Sequence, residues 1–238
     1  MARASVGPAP PLAPLRAPRQ PKAAVGGASS EKGRATRAHI LEVALGQFSE
    51  RGYEGATLRS IAQAAGVDHP LVKYHFATKD ALWREAVRFL FDRMNAEIRQ
   101  APRAAFADDP EQAFADTIRA LVRYNARHPE HARLMVLESV RDSERIRWAA
   151  ETLVRRQHVA VGPFLDAAIA HGFLPDLPRH ELVTMVNALC HITFTLEPMV
   201  RHSWSVEVTS EEAIEAHVRA VLVLLAGASS PSRRPGAD

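Results

Sequence analysis

Residues 40–83 read ILEVALGQFSERGYEGATLRSIAQAAGVDHPLVKYHFATKDALW, and this stretch decides the fold. Ile40, Ala44, Leu45 and Phe48 recur at three- and four-residue steps, the period of a helix with one apolar face. Arg51-Gly52 ends that helix, because Gly takes up the left-handed cap conformation that other residues resist. Thr57 is placed to cap a second helix with a buried face of Leu58, Ile61, Ala62 and Ala65, and Gly66 breaks it. Asp68 is expected to cap a third segment, His69 to Tyr74, with Pro70 in the first turn, where its missing N–H costs least. Helix, glycine turn and short polar-faced helix make a helix-turn-helix, an arrangement that fits a DNA major groove.

The pattern goes further than one motif. Ile40-Leu41, Ala44, Phe48, Gly52-Tyr53, Thr57, Ile61-Ala62, Ala65-Gly66-Val67, Tyr74-His75-Phe76 and Lys79-Asp80-Ala81-Leu82 all stand at consistent spacing. At these residues the sequence resembles the TetR family of bacterial transcriptional regulators, over roughly a fifth of the 238-residue chain. It departs from the family pattern in the third helix, where Asp68 replaces a common Ser and Pro70 a common small residue.

The resemblance implies an all-α protein, with a three-helix DNA-binding domain over residues 31–83 (the helix-turn-helix at about 57–76). A larger helical regulatory and dimerisation domain over residues 84–226 would follow. By match, Thr57, Tyr74 and Lys79 contact phosphates, and Arg59 joins them as an exposed cation near a helix N-terminus. His69, Leu71 and Lys73 are the candidates for base edges. Lys73 can donate to guanine, His69 can donate or accept, and Leu71 can meet a thymine methyl. Phe76 and Leu82 are core. One short reader is insufficient, so two copies related by a two-fold axis should bind a palindromic operator, with half-sites about 34–36 Å apart.

Outside this stretch the charge is uneven. Residues 1–37 hold seven Lys or Arg and one acid, net +6, which leaves −3 for the remainder of a +3 chain. That basic excess adjoins the reader, where it either contacts phosphate or forms a solvated tail. Residues 1–30, rich in Pro, Ala, Gly and Ser, and residues 227–238 are expected to be disordered tails. Cys190 is the sole cysteine, so no intramolecular disulfide can form. Prolines interrupt the N-terminus where a signal peptide needs an apolar run, and the longest apolar run, residues 220–228, is about half a bilayer span. A cytoplasmic protein without a membrane partner is expected.

The rest of the chain has helical periodicity throughout. A fourth helix is expected from Thr78 toward Gln100, carrying Leu82, Ala86, Phe89, Leu90, Met94 and Ile98. Further helices are expected from Pro110 to Arg127, from His128-Pro129 to about Asp142, and from Glu144 to Ala170 with a kink at Gly162-Pro163. The last two should run from Arg179 to Met199 and from Thr209 to Ala226, Thr209 and Glu212 fitting a capping box. The segment from Leu182 to Leu196 is apolar nearly all round, and the last helix carries a stripe of Ile214, Val218, Val221, Leu222 and Leu225. By the family resemblance these helices form a four-helix bundle with a second copy; an ordinary intramolecular core is the alternative.

On the penultimate helix Thr184, Asn187, His191 and Thr195 make a polar line. It suits ligand contacts, hydrogen bonds across a dimer seam, or satisfaction within the core. Tyr124, Trp148, Phe164 and Phe194 are candidate pocket walls, so the ligand-contact set is Tyr124, Trp148, Asn187, His191 and Phe194. His128 and His131 lack a third ligand at a recognisable spacing, no cofactor motif is present, and no acid–base set suggests an enzyme. The expected function is a homodimeric repressor, released from its operator by an unknown small-molecule effector. The alternative is a DNA-binding dimer without such an effector, acting through a protein partner or in chromosome organisation.

Overall fold

The computed structural model describes residues 27–102 and 104–229, with side chains from residue 31 to residue 227. The expected contacts of the basic N-terminal tail, and the C-terminal tail beyond residue 229, lie outside the described residues. Among the described residues every regular element is helical. In chain order these are α1 (Gly27–Gly55), α2 (Leu58–Ala64), α3 (His69–Phe76), α4 (Lys79–Gln100), α5 (Pro110–Arg127) and α6 (Pro129–Ser139). There follow α7 (Glu144–Ala149), a π-helical turn (Ala150–Val154), α8 (Arg155–Ala170), α9 (Arg179–Thr195), α10 (Glu197–Trp204) and α11 (Glu211–Ser229).

The N-terminal half follows from its local signals. α1 does not stop at Gly52 but bends there and continues for one short stretch to Gly55. Gly52 has φ 68° and ψ 173°, a positive-φ geometry outside the left-handed helical well and open only to glycine. Thr57 Oγ1 accepts from the Ser60 amide and Ser60 Oγ accepts from the Thr57 amide, each at 3.0 Å, so the cap of α2 is reciprocal. Gly66, at φ 64°, turns the chain into α3. Asp68 occupies the N-cap position of α3, but its side chain makes no capping hydrogen bond, contrary to the sequence expectation. Thr78 caps α4 by accepting from the Ala81 amide at 3.1 Å.

Ile40, Phe48, Ile61, Val72, Phe76, Leu82 and Trp83 build one core, which Leu90 and Phe91 of α4 extend beyond residue 83. Leu134 of α6 and Ala149 of α7 also enter it, so the two expected domains share packing along α1 and α4. A second core gathers Phe114, Ile118, Leu165, Leu182, Val186 and Phe194 with the α11 stripe.

Three C-terminal expectations are corrected. Helical geometry passes through Pro163 without a break; the irregularity is instead the π-turn at Ala150–Val154, where one extra residue per turn is absorbed. α9 ends at Thr195 and bends by 64° into α10, instead of running to Met199. α11 is capped by Ser210, whose Oγ accepts from the Ala213 amide at 3.2 Å, while Thr209 bonds to Glu207. Among the described residues no single helix is long and apolar enough to cross a membrane.

The apolar stripe of α11 also turns inward. Ile214, Val218, Val221 and Leu225 are buried within their own chain, so they make the intramolecular core that was the alternative reading. Uncovered apolar side chains are found elsewhere on the same helices: Met185 and Ile192 on α9, Met199 and Trp204 on α10, and Val223 and Leu224 on α11.

Candidate functional site

The reading helix α3 buries Val72 and Phe76. At about 100° per residue its outward surface runs from Lys73 across Pro70 and Tyr74 to Leu71. Lys73 and Tyr74 are exposed, Tyr74 to 82%, while His69 and Leu71 are half-buried at the margins. Pro70 therefore stands in the middle of the reading face, a position its role as a first-turn residue did not suggest.

Around α3 lie the expected phosphate-binding groups. Thr57 is exposed at the start of α2, with its hydroxyl already engaged as the cap, and Arg59 is exposed just beyond it in the first turn of the helix. Lys79 opens α4 with its Nζ 4.2 Å from the centroid of the Tyr53 ring. Thr57, Arg59, Lys73 and Tyr74 are thus exposed, while His69, Leu71 and Lys79 are half-buried. Between α3 and α4, Ala77 has φ 53° and ψ −54°, and the Thr78 amide donates to the Phe76 carbonyl at 2.5 Å, a strained γ-turn that sets the angle between the two helices.

The C-terminal half holds a partly open cavity of about 320 Å³. Its walls come from α4 (Phe91, Met94), α5, α6, α8 and α9 (Asn187, His191). Of the five candidate ligand contacts, Asn187 and His191 line it. Tyr124 is buried behind it, its hydroxyl 2.8 Å from Nδ1 of the lining residue His131. Trp148 is not in the lining; it packs edge-on against Trp83 at 6.0 Å, with Arg84 and Arg88 over its ring. Phe194 is core, 5.2 Å from the His217 ring. Phe164 lines the cavity, whereas Thr184 and Thr195 of the polar line do not.

Sequence reasoning missed Thr117, Asn125, His131 and Gln157 of the lining. One signal was available: Thr117, Leu121 and Asn125 succeed each other at four-residue steps, a polar–apolar–polar line on one face of α5.

Beside the cavity an ion network joins α4, α5 and α6. Glu97 takes hydrogen bonds from Arg127 at 2.9 Å and His128 at 2.8 Å, and Glu130 pairs with Arg93. Burial works to raise the Glu130 carboxyl, but the hydrogen bond from His128 and the Arg93 guanidinium outweigh it and hold it at about 2. Burial pushes the Tyr124 hydroxyl up to about 12, against the pull of Arg93. Burial, aided by Arg93, pushes the His131 ring down to about 3, so the ring is neutral at physiological pH. Among the described residues no three His, Cys, Asp or Glu side chains are placed to share a metal ion. Burial alone pushes the Cys190 thiol up to about 12, which makes it an inert core group.

Comparison with known proteins matches both halves. The profile described as bacterial regulatory proteins, tetR family, fits residues 40–86, and that of the tetracyclin repressor-like C-terminal domain fits residues 110–224. The HTH-type transcriptional repressor NicS of Pseudomonas putida is 26% identical over 69% of this chain and 78% of its own length. The HTH-type transcriptional regulator RutR of Escherichia coli is 35% identical over 42% of this chain and 45% of its own. The fold matches that of the fatty acid degradation regulator FadR from Bacillus halodurans with a TM-score of 0.58, at 17% identity, covering 81% of this chain and 95% of that one. This chain belongs to the TetR family of bacterial DNA-binding transcriptional regulators, and it is a regulator rather than an enzyme.

Proposed function

We propose that the protein is a homodimeric cytoplasmic repressor that holds a palindromic operator through α3 and is released by a small molecule bound in the cavity. One observation carries the second half of this reading: α6 serves two surfaces at once. Ala132, Met135 and Val136 on α6 line the cavity. Leu134, Leu137 and Glu138 on the same helix face α1 across a cleft of about 420 Å³ that also touches Gly52 and Tyr53. A molecule that displaces α6 therefore acts on the helix that supports the reader. The effector can shift the DNA-binding equilibrium only by its difference in affinity for the two states.

The roles of Thr57, Arg59, Tyr74 and Lys79 on phosphates and of His69, Leu71 and Lys73 on bases belong to this proposal. So does pairing through the uncovered apolar side chains of α9, α10 and α11. The cavity also weighs against a regulator without an effector, for which a solid regulatory core is the natural expectation. Selection of random duplex DNA by the purified protein tests the first half, and a palindrome with half-sites about one helical turn apart is expected. Titrating the selected duplex with cell metabolites tests the second, and a fraction that releases the protein is expected. Enrichment without any motif overturns the operator reading.

A further inference from the structure

The cavity lining has an unusual chemical balance. Twenty residues form it, twelve of them apolar, and none is Asp, Glu, Lys or Arg. The polar members are amides, hydroxyls and imidazoles, contributed by α5, α6, α8 and α9. At about 320 Å³ the space lies at the small end of the ~300–1,000 Å³ range of ligand sites, enough for a compound of one or two rings.

In two of the three lining imidazoles, His131 and His191, hydrogen bonds define the roles of the ring nitrogens. Thr195 Oγ1 donates its proton to the His191 carbonyl at 3.0 Å, so the same hydroxyl can only accept from His191 Nδ1–H, also at 3.0 Å. His191 Nε2 is therefore an acceptor. The Tyr124 hydroxyl donates to the Leu90 carbonyl at 3.4 Å, so at 2.8 Å it accepts from His131 Nδ1–H. His131 Nε2 is then an acceptor as well. Among the described residues neither Nε2 has a hydrogen-bond partner. Both rings thus carry an unpaired acceptor among mostly apolar lining residues.

From this we infer that the effector is an uncharged, compact, largely apolar compound, whose polar group donates a hydrogen bond to the Nε2 acceptor of His191. A carboxamide, lactam or phenol has that character. An anion would be stripped of water with no lining cation to receive it, a loss that apolar contacts do not recover. Asn125 supports the same neutrality: its Nδ2 donates to the Leu121 carbonyl at 2.8 Å, which leaves its carbonyl oxygen as another neutral polar group at the wall. This inference rests on the reading of the cavity as the effector site.

The test is calorimetric titration of the full chain with four probes of one shape: 2-naphthamide, 2-naphthoate, 2-naphthylmethylamine and naphthalene. The amide is expected to bind at least tenfold more tightly than either ion and more tightly than naphthalene. His191→Leu is expected to reduce amide binding about tenfold and to leave naphthalene unchanged. Naphthoate binding as tightly as the amide overturns the inference and leaves the effector cavity standing, as does amide binding that His191→Leu fails to weaken. If no probe binds, naphthalene included, the cavity is not a ligand site and both readings fall.

Discussion

The Arg145 guanidinium carbon lies 3.7 Å from the centroid of the Tyr53 ring, the ring that also receives Lys79 Nζ. Arg145 comes from α7 and Tyr53 from the end of α1, so the contact joins the N-terminal and C-terminal parts of the chain. Arg145 is fixed by Glu138, which accepts its Nε–H at 3.0 Å and the Ser143 hydroxyl at 2.6 Å. Glu138 is only 8% exposed, so these donors take the place of water around its carboxylate. Arg145→Ala should destabilise the protein by about 3 kcal/mol, because it strands a buried carboxylate. Adding Glu138→Gln should recover more than half of that loss, as measured by urea unfolding. No recovery in the double variant would show that ring contacts, not the ion pair, carry the stability.

A second relationship is a strained one. Ala77 holds a positive φ at the α3–α4 turn without being glycine. Non-glycine residues in such regions cost of order 1–3 kcal/mol. Ala77→Gly should therefore stabilise the protein or leave it unchanged, even though Gly is normally the more costly residue to order. A loss above about 1 kcal/mol in thermal unfolding would contradict the strain assignment.

What the sequence made legible was local. The caps at Thr57 and Thr78 and the positive-φ turns at Gly52 and Gly66 depend on neighbours within a few residues, and the quoted stretch displays them all. The α11 stripe was legible as buried but not as to its partner. Periodicity shows that Val218 and Val221 leave water, and only tertiary structure shows that their own chain covers them. The cavity was least legible because its lining comes from five helices and the π-turn. Asn187 and His191 stood out as polar groups on an apolar helix, whereas Trp148 is drawn instead to Trp83 and two arginines. Asp68 fails as a cap because residue type gives the position and not the rotamer.

Acid should weaken the fold through His131. Its folded pKa, about 3, lies below the ordinary 6.5, so at intermediate pH the unfolded chain binds a proton that the folded one refuses. Stability is then full above pH 6.5 and lost progressively as the pH falls toward 3. At pH 5 the loss from this group is roughly 2 kcal/mol. Arg93, Glu130, His128 and His191 are its charged or titratable neighbours, and Glu130 adds loss only below its ordinary 4.5. Urea unfolding at pH 7 and pH 5 should show a smaller drop for His131→Gln, whose amide N–H can replace the donor to Tyr124. An equal drop in both proteins would rule out His131 as the source.

The uncovered apolar side chains predict how pairing can be broken without harm to the monomer. Val223 is 71% exposed and Leu224 58%, beside the buried Val221 and Leu225. Leu224→Arg places a charge where a second copy should pack and should raise the dimer dissociation constant by at least a hundredfold in sedimentation equilibrium. Helical content by circular dichroism should not change. A dimer that survives this substitution would move the interface away from α11.

The proposed DNA contacts divide into two kinds, and substitutions at two lysines separate them. Lys79 begins α4, outside the reading helix, and in the proposal it attracts phosphate regardless of sequence. Lys79→Ala should weaken binding to every duplex alike and reduce the slope of log K against log salt by about 1. Its loss also removes one of the two cations over Tyr53, so folding must be checked at the DNA-binding temperature. Lys73 is exposed on α3 itself, one turn from His69. Lys73→Ala should erase the preference at one base position per half-site, a discrimination of about 1–3 kcal/mol. Its effect on non-specific duplex should be smaller than that of Lys79→Ala. Unchanged sequence preference in Lys73→Ala would transfer base reading to the neighbours on the same face, Pro70 and Tyr74, whose exposure at its centre makes them the next groups to reach the groove.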